Sequence, residues 1–513
     1  MIRPASIHSA IFGAGLGVPL LAIMYLGWQA ARLPFAPFDL FGLVVRVLPG
    51  AVVNAALEMI VGGLQTWRLG DTDDLAKSLQ AAMAVALLLV VLAALGALHD
   101  ALARRLSVRA AARGAATGFS LWLLLVPSGL LAGWNLGGLL WTLALCMCWG
   151  TALICIARQW AALSQSPVDT ARRNFLTQLG IGLVALTALG LGLGRGLKRP
   201  EATAASPGAV PAPSDGFTPV EGTRPEVTSL PDFYRVDIKL DPPRLDANTW
   251  RLELRGAVER PVTLSYANLT TLPSESFYAT LECISNRVGG DLISTTLFTG
   301  VALRDVLALA RPNPGTAEIK FVCADGYSES LPLEAALDPD TRLCYAMGGA
   351  ALLPEHGFPV RLFAPHRYGM KNPKWITKIE AVADDYLGFW EQRGWSDAAW
   401  VRATSVIDVA RSIGAGELEA GGIAYAGARG ISKVEVRVGE GDWAEAERKS
   451  ELSPLTWVVW RVTLKAGPGQ HRLIVRATDG MGKLQSTRTA EAFPNGATGY
   501  HKITVRVEQE IMQ

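Results

Sequence analysis

Tyr278-Ala-Thr-Leu-Glu-Cys283-Ile-Ser-Asn286-Arg-Val-Gly289-Gly-Asp291 is the stretch around which the rest of the chain is read. Its pattern predicts a short strand, Tyr278 to Leu281, that delivers Cys283 into a glycine-bearing loop. A thiolate held rigidly above a pocket is a soft, electron-rich donor that attacks carbon or binds a soft metal. A lone cysteine is more often a small buried hydrophobe. No histidine lies close by in sequence and there is no Cys-x-x-Cys, so the pattern favours neither a zinc site nor a redox dithiol.

Outward from Cys283 the chain carries further ordered blocks. Gly289-Gly-Asp291-Leu-Ile293 is followed by Thr299-Gly300-Val-Ala-Leu303-Arg304-Asp305-Val-Leu307, then His356-Gly-Phe-Pro-Val-Arg361 and Tyr368-Gly-Met-Lys371-Asn372-Pro373-Lys374-Trp375. This series, over residues 230 to 510, resembles the sulfite oxidase family of molybdopterin enzymes. The resemblance implies that Cys283 is the protein's covalent ligand to molybdenum, and the catalytic residue. It implies that His356, Arg361, Asn372, Pro373 and Lys374 contact the pterin, with the guanidinium fork of Arg361 suited to its phosphate. Asp325, in Cys323-Ala-Asp-Gly-Tyr327, and the Phe233-Tyr234-Arg235 entry segment align with further cofactor-contacting positions. The chemistry implied is two-electron oxygen-atom transfer on a small substrate, with the cofactor supplying the reactivity and the protein supplying position and electrostatics.

Two departures bear on substrate. Sulfite oxidases carry a tyrosine in a Gly-Tyr-Ala-Trp-Ser-Gly block; the matching Gly422-Ile423-Ala-Tyr425-Ala-Gly427 places Ile423 there. The arginine of the family's entry block has no register-matched counterpart, since Arg235 is displaced by one. An oxyanion needs convergent cations and donors, so a sulfoxide reductase, acting on a neutral S-oxide or N-oxide that is reduced rather than oxidised, stands as an alternative to a sulfite oxidase-like activity.

The first two hundred residues read differently. Half of the 513 residues are hydrophobic and 18% are charged, but the long apolar runs are almost all in this part. Six runs are long enough to span a bilayer: Ile11–Ala31, Phe38–Leu64, Leu79–Leu98, Ala115–Gly133, Leu136–Ile156 and Phe175–Leu193. Pro19, Pro49 and Pro127 are expected to kink their helices. Loops bearing Arg32, then Arg104, Arg105, Arg109 and Arg113, then Arg158, Arg172 and Arg173, are expected in the cytoplasm. With six spans, the amino terminus and everything after Leu193 then lie outside, which places the enzyme domain on the periplasmic side of a bacterial cytoplasmic membrane. Thr170-Ala-Arg172-Arg173-Asn-Phe175-Leu176 resembles a twin-arginine export signal. His8 and His99 are the histidines of this half and fall at opposite faces in the six-span topology, so no haem is expected.

The domain organisation predicted is a helical membrane region (1–170), the twin-arginine-like segment with the sixth span (171–197), a flexible Pro/Ala-rich linker (198–225), an α+β molybdopterin-binding domain (226–395), and an all-β domain (396–513). Within the last, Ile431–Val438, Trp457–Leu464, His471–Thr478 and His501–Glu508 alternate as strands, and resemble an immunoglobulin-like sandwich. In the family this second domain often dimerises. Val301–Ala310 is expected to be a helix with Leu303, Val306, Leu307 and Ala310 on one face. Net charge is +2 and no basic patch carries interleaved aromatics, which argues against nucleic acid. The partners expected are a small substrate, membrane lipid and an external electron carrier, cytochrome or quinone. The competing readings are a non-catalytic membrane-anchored module that keeps the fold, and a transporter with a sensing domain.

Overall fold

The computed structural model describes residues 4–67, 70–103, 110–164, 169–197, 215–414 and 416–507. Arg104, Arg105, Arg109, Glu508 and residues 198–214 of the expected linker lie outside these. The chain divides into two compact units: residues 1–48, 77–203 and 239–241, and residues 49–76, 204–238 and 242–513.

The first unit is helical. It contains α1 (Pro4–Ala31) and α2 (Ala36–Val47), the greater part of α4 (Thr72–Ala103), α5 (Ala110–Ala132), α6 (Leu136–Ser164) and α7 (Asp169–Gly196); the intervening α3 (Gly50–Trp67) belongs to the second unit. Met24, Leu88, Leu92, Leu121, Leu125, Cys146 and Leu153 form its core. Small residues let the backbones touch: a Cβ on Gly96 would lie 2.3 Å from the Ser9 carbonyl oxygen, and one on Gly118 2.4 Å from that of Cys146.

Among the described residues, five helices are long and apolar enough to cross a membrane: Ser6–Ala31, Thr72–Asp100, Ala112–Ala132, Leu136–Ser164 and Thr170–Gly196. Pro19 and Pro127 lie inside α1 and α5. The expected second span, Phe38–Leu64, is not one helix. Leu48 is extended (φ −64°, ψ 144°), because the Pro49 ring excludes the helical region for the residue before it. The run therefore breaks into α2 and α3, and α3 packs within the second unit. His8 and His99 consequently do not sit at opposite ends: Ser6 Oγ donates to Asp100 at 3.0 Å, joining the start of α1 to the end of α4. The His8 ring packs on Trp160, and His99 pairs with Thr117.

The second unit is built from sheets. Its strands are β1 (Arg251–Gly256), β2 (Val262–Ser265), β3 (Ser274–Glu282), β4 (Ile293–Ala302), β5 (Glu318–Cys323), β6 (Ser328–Pro332), β7 (Arg342–Met347), β8 (Ala350–Ala351), β9 (Arg361–Phe363) and β10 (Ile376–Val382), followed by a strand-rich carboxyl-terminal part. One sheet runs β2-β1-β10-β5-β6, and β1 pairs parallel to β10. The other runs β3-β4-β7-β8, with β9 on β7. Trp250, Leu252, Phe321, Leu343 and Ile379 fill the core. The helix expected over 301–310 starts at Leu303, because Val301 and Ala302 stay in β4 paired to β7. Its predicted apolar face, Leu303, Val306, Leu307 and Ala310, is the buried one.

The carboxyl-terminal strands are β11 (Thr404–Gly414), β12 (Glu417–Tyr425), β13 (Ile431–Val438), β14 (Ala444–Glu445), β15 (Glu447–Arg448), β16 (Val458–Lys465), β17 (Gly469–Asp479) and β18 (Lys502–Val507). They form two four-stranded sheets, β11-β12-β16-β15 and β14-β13-β17-β18. Leu418, Ala420 and Trp460 of one meet Val434, Val436, Val475 and Val505 of the other in a shared core. Residues 215–225, expected in the flexible linker, pack against this part: Arg224 holds Asp408 through bonds of 2.7–3.2 Å, and Val220 is buried.

Candidate active site

β3 ends at Glu282 and delivers Cys283 into a turn closed by Asn286 N–H to the Cys283 carbonyl at 3.0 Å. The Cys283 N–H donates to the Leu292 carbonyl at 2.9 Å, so both sides of the loop are pinned. Asn286 is the brace. Its amide donates to Glu282 Oε1 at 3.1 Å, and its oxygen accepts from Leu292 N–H at 3.1 Å. A side chain at Gly290 would fall 2.3 Å from that same oxygen, so glycine is what keeps the brace in place. The thiol lies 3.1 Å from Ser285 Oγ and is buried, which raises its pKa despite the serine. Burial likewise pushes the Glu282 carboxyl up to about 8.

Cys283 opens onto a cleft. Every other residue expected at the site lines it: Phe233, Tyr234, Asp325, His356, Arg361, Asn372, Pro373 and Lys374. They arrive from four stretches spread over some 140 positions, brought together by the two sheets.

One part of the cleft is cationic. His356 ends a short 3-10 turn (Pro354–His356), and Gly357 follows at φ +107°. A Cβ at Gly357 would meet Lys374 Cβ at 2.9 Å, so the His-Gly pair can close only with glycine. His356 Nε2 faces the Leu230 carbonyl at 3.0 Å and therefore carries the proton, which leaves a lone pair on Nδ1. Burial, reinforced by Lys374, lowers its pKa to about 3, so the ring is neutral. Arg361 Nη1 donates to the His356 carbonyl at 3.3 Å. Its Nε is buried with no hydrogen-bond partner, an orphaned donor beside the cleft. Lys374 pairs with Asp237 and donates to the Glu355 carbonyl at 3.0 Å.

The other predicted residues serve the walls. Asn372 spends its amide on the Ala364 N–H (2.8 Å) and the Tyr368 carbonyl (3.0 Å), bracing the loop. Asp325 Oδ1 accepts from Tyr327 N–H at 2.9 Å in the turn between β5 and β6. Phe233 stacks on Tyr234 at 5.6 Å and meets His356 edge-on.

Around Cys283 the surface is mostly apolar, with Ser285 and Tyr234 as its polar members. Leu57, Ile284, Met370, Trp390 and Trp395 line this part, and Val61 and Leu292 pack beside the thiol. Arg235 does not line the cleft; it pairs with Asp74 at 2.5 Å. Ile423 is buried in β12 and packs behind the cleft lining, in one cluster with Ile284, Met370 and Trp395, and Tyr425 OH donates to the Thr280 carbonyl at 2.9 Å.

Sequence reasoning missed Leu57 and Val61, because the run holding them reads as a membrane span. The available signal was a polar stripe through it at Asn54, Glu58 and Gln65. It also missed a buried ionic cluster next to the cleft wall. Lys371 pairs with Glu329 (2.9 Å), Glu391 and Asp397 (3.0 Å), and Tyr327 OH lies 3.0 Å from Glu329. Burial raises the Glu329 pKa against the pull of Lys371.

Residues 239–390 match the family described as oxidoreductase molybdopterin binding domain. The chain is 27% identical over 338 residues to the mitochondrial sulfite oxidase of Mus musculus, covering 55% of this chain and 62% of that protein. It is 25% identical over 348 residues to the sulfite oxidase of Arabidopsis thaliana, covering 55% and 88% respectively. Among solved structures, the sulfane dehydrogenase SoxCD of Paracoccus pantotrophus aligns with 61% of this chain and 96% of that one, at 22% identity and a TM-score of 0.49. The cleft of Cys283 and Arg361 thus belongs to a molybdopterin-binding oxidoreductase domain similar to that of sulfite oxidases.

Proposed function

We propose that the protein is a membrane-tethered molybdenum-cofactor oxidoreductase that transfers an oxygen atom to or from a small neutral sulfur- or nitrogen-oxo substrate. The observation that carries this is one cleft holding both a pinned cysteine and a buried guanidinium with an unused donor. The residues present fit the cofactor. Cys283 would supply the thiolate to the metal, while Arg361 and Lys374 would hold the phosphate. Neutral His356 would accept a hydrogen bond at Nδ1, and Phe233 and Tyr234 would wall the pterin. The bound group supplies two-electron oxygen-atom transfer, balanced as substrate plus water giving oxidised substrate, two protons and two electrons, or the reverse. The chain's own part is to fix the thiolate, exclude water with Trp390 and Trp395, and orient the substrate against an apolar wall.

That wall favours a neutral substrate over sulfite. Arg235 is engaged by Asp74, and the cations of the cleft lining are Arg361 and Lys374. A sulfoxide reductase is therefore the second reading. With five spans and the loops of Arg113, Arg158, Arg172 and Arg173 in the cytoplasm, the enzyme domain lies on the periplasmic side of a bacterial cytoplasmic membrane. The amino terminus then lies in the cytoplasm, the reverse of the six-span expectation. Export by the twin-arginine-like segment, dimerisation through an immunoglobulin-like carboxyl-terminal domain, and electron exchange with a cytochrome or quinone complete the reading.

The test is molybdenum content and pterin fluorescence of the detergent-purified protein beside Cys283→Ser, followed by a screen of sulfite, sulfoxides and N-oxides. Stoichiometric metal in wild type and a lost or altered centre in the variant are expected. Absence of metal from both, with cofactor supply ample, leaves the non-catalytic module.

A further inference from the structure

We propose that α3 is an interfacial helix that lies in the membrane surface, with its outer face in lipid and its inner face walling the cofactor cleft. This rests on the membrane tether proposed above.

The helix has two unlike faces. Asn54, Leu57, Val61 and Gln65 recur every three or four residues and face the enzyme domain. Asn54 donates to the Arg393 carbonyl at 2.7 Å and accepts from Trp395 Nε1 at 3.0 Å. Gln65 reaches Asn286 and Asp291. On the opposite side Val52, Ala55, Ala56 and Met59 are exposed, with Val52 at 50% and Met59 at 76%. No charge interrupts that face. An uncovered apolar stripe of this kind marks a surface that something else covers.

Chain continuity selects lipid as the occupant. α3 starts 19 residues after α1 ends, with α2 between them, and α4 starts five residues after α3 ends; α1 and α4 are candidate spans. The first turn of α4 is fastened to the enzyme domain. Thr72 N–H donates to Asp291 Oδ2 at 2.9 Å, and Asp73 and Asp74 accept from Arg235. The loop that carries Cys283 is thus tied to the end of a candidate span, where a helix with one apolar face and one engaged face meets the headgroup boundary.

The experiment places the photoreactive residue p-benzoylphenylalanine singly at Val52, Met59, Leu140 and Met481 in the full-length protein. The protein is reconstituted in phosphatidylethanolamine–phosphatidylglycerol vesicles, irradiated, and phospholipid adducts are counted by mass spectrometry. Leu140 is 56% exposed on α6 and reports insertion of a span; Met481 is 80% exposed on a turn after β17 and reports background. Lipid adducts at 52 and 59 about tenfold above those at 481 are expected, as for side chains within rather than outside the apolar layer. Adducts at 140 but not at 52 or 59, or crosslinks from 59 to a second copy or another protein, overturn the proposal and leave the tether standing. No adducts at 140 overturn the tether itself.

Discussion

Gln65 Nε2 lies 3.1 Å from Asn286 Oδ1 and 3.1 Å from Asp291 Oδ1, so a residue 221 positions upstream of Asn286 steadies the loop that presents Cys283. Each of these bonds is of ordinary strength, contributing about 1 kcal/mol. Gln65→Ala is expected to leave the fold intact, with about tenfold faster loss of molybdenum on dialysis, the range seen when groups supporting a metal ligand are removed. Unchanged metal retention would mean that the loop holds itself.

Arg361→Met removes the buried donor that the pterin phosphate would take. Cofactor content is expected to fall to background, and Arg361→Lys should not restore it, because a point charge cannot reproduce the guanidinium fork. Full pterin fluorescence in the methionine variant would contradict the role given to Arg361.

Lys371→Met leaves Glu329 and Glu391 buried without their shared cation. Breaking such a cluster from one side costs about 3–5 kcal/mol. Chemical denaturation of the detergent-purified variant measures it, and a loss under about 1 kcal/mol would show that the carboxylates take up a proton at little cost.

His356 has a folded pKa of about 3 against 6.5 when unconstrained. As pH falls from 6.5 toward 3 the unfolded chain binds a proton that the folded chain refuses, so this group removes about 1.4 kcal/mol of stability per pH unit. Above 6.5 it contributes no slope. Glu282 and Glu329, with raised pKa values, act oppositely above about 4.5, since the folded form then holds protons that the unfolded form releases. They are common to wild type and His356→Asn, so the difference between the two proteins isolates the histidine. That difference should narrow steadily from pH 6.5 to 4.5 if measured in cofactor-free protein; a constant offset would refute the burial argument.

Leu57→Lys places a charge in the apolar part of the cleft. With a neutral substrate, KM is expected to rise at least about tenfold, the worth of about 1.4 kcal/mol, while kcat changes less. A lower KM for sulfite in the same variant would show that only the missing cation keeps the anion out.

Much of the enzyme domain could be read from the chain because its signals are local. Cys283 follows a strand, His356-Gly357 closes a turn that only glycine permits, and Val306 and Leu307 repeat with a helical period. The residues carrying the site also sit in short blocks whose order survives in the fold. Two things were not legible. Strand β4 runs through Ala302 because β7 pairs with it, and pairing partners are distant in sequence. Asn54 and Gln65 are polar residues in an apolar run, and hydropathy averaged over such a run gives the same value for a span and for a helix with one face docked. What separates them is Pro49, which stops α2, together with the contacts that Asn54 and Gln65 make far downstream. Ile423 is a different case: it is buried in β12 and does not line the cleft, but it packs in one cluster with Ile284, Met370 and Trp395, which do.

The wall that α3 contributes is made by Leu57, with Val61 packed beside the thiol, while the remainder of the cleft begins beyond residue 230. The vessel and its door are thus separate pieces of the chain, and they need not be joined at the same moment. A fragment from residue 215 onward keeps Cys283, His356, Arg361 and Lys374 but lacks the door. It should accept cofactor readily and release it readily. In the intact protein Asn54 and Gln65 fasten α3 to that domain, so retention of the metal is expected to depend on the amino-terminal region as well as on the domain that binds it.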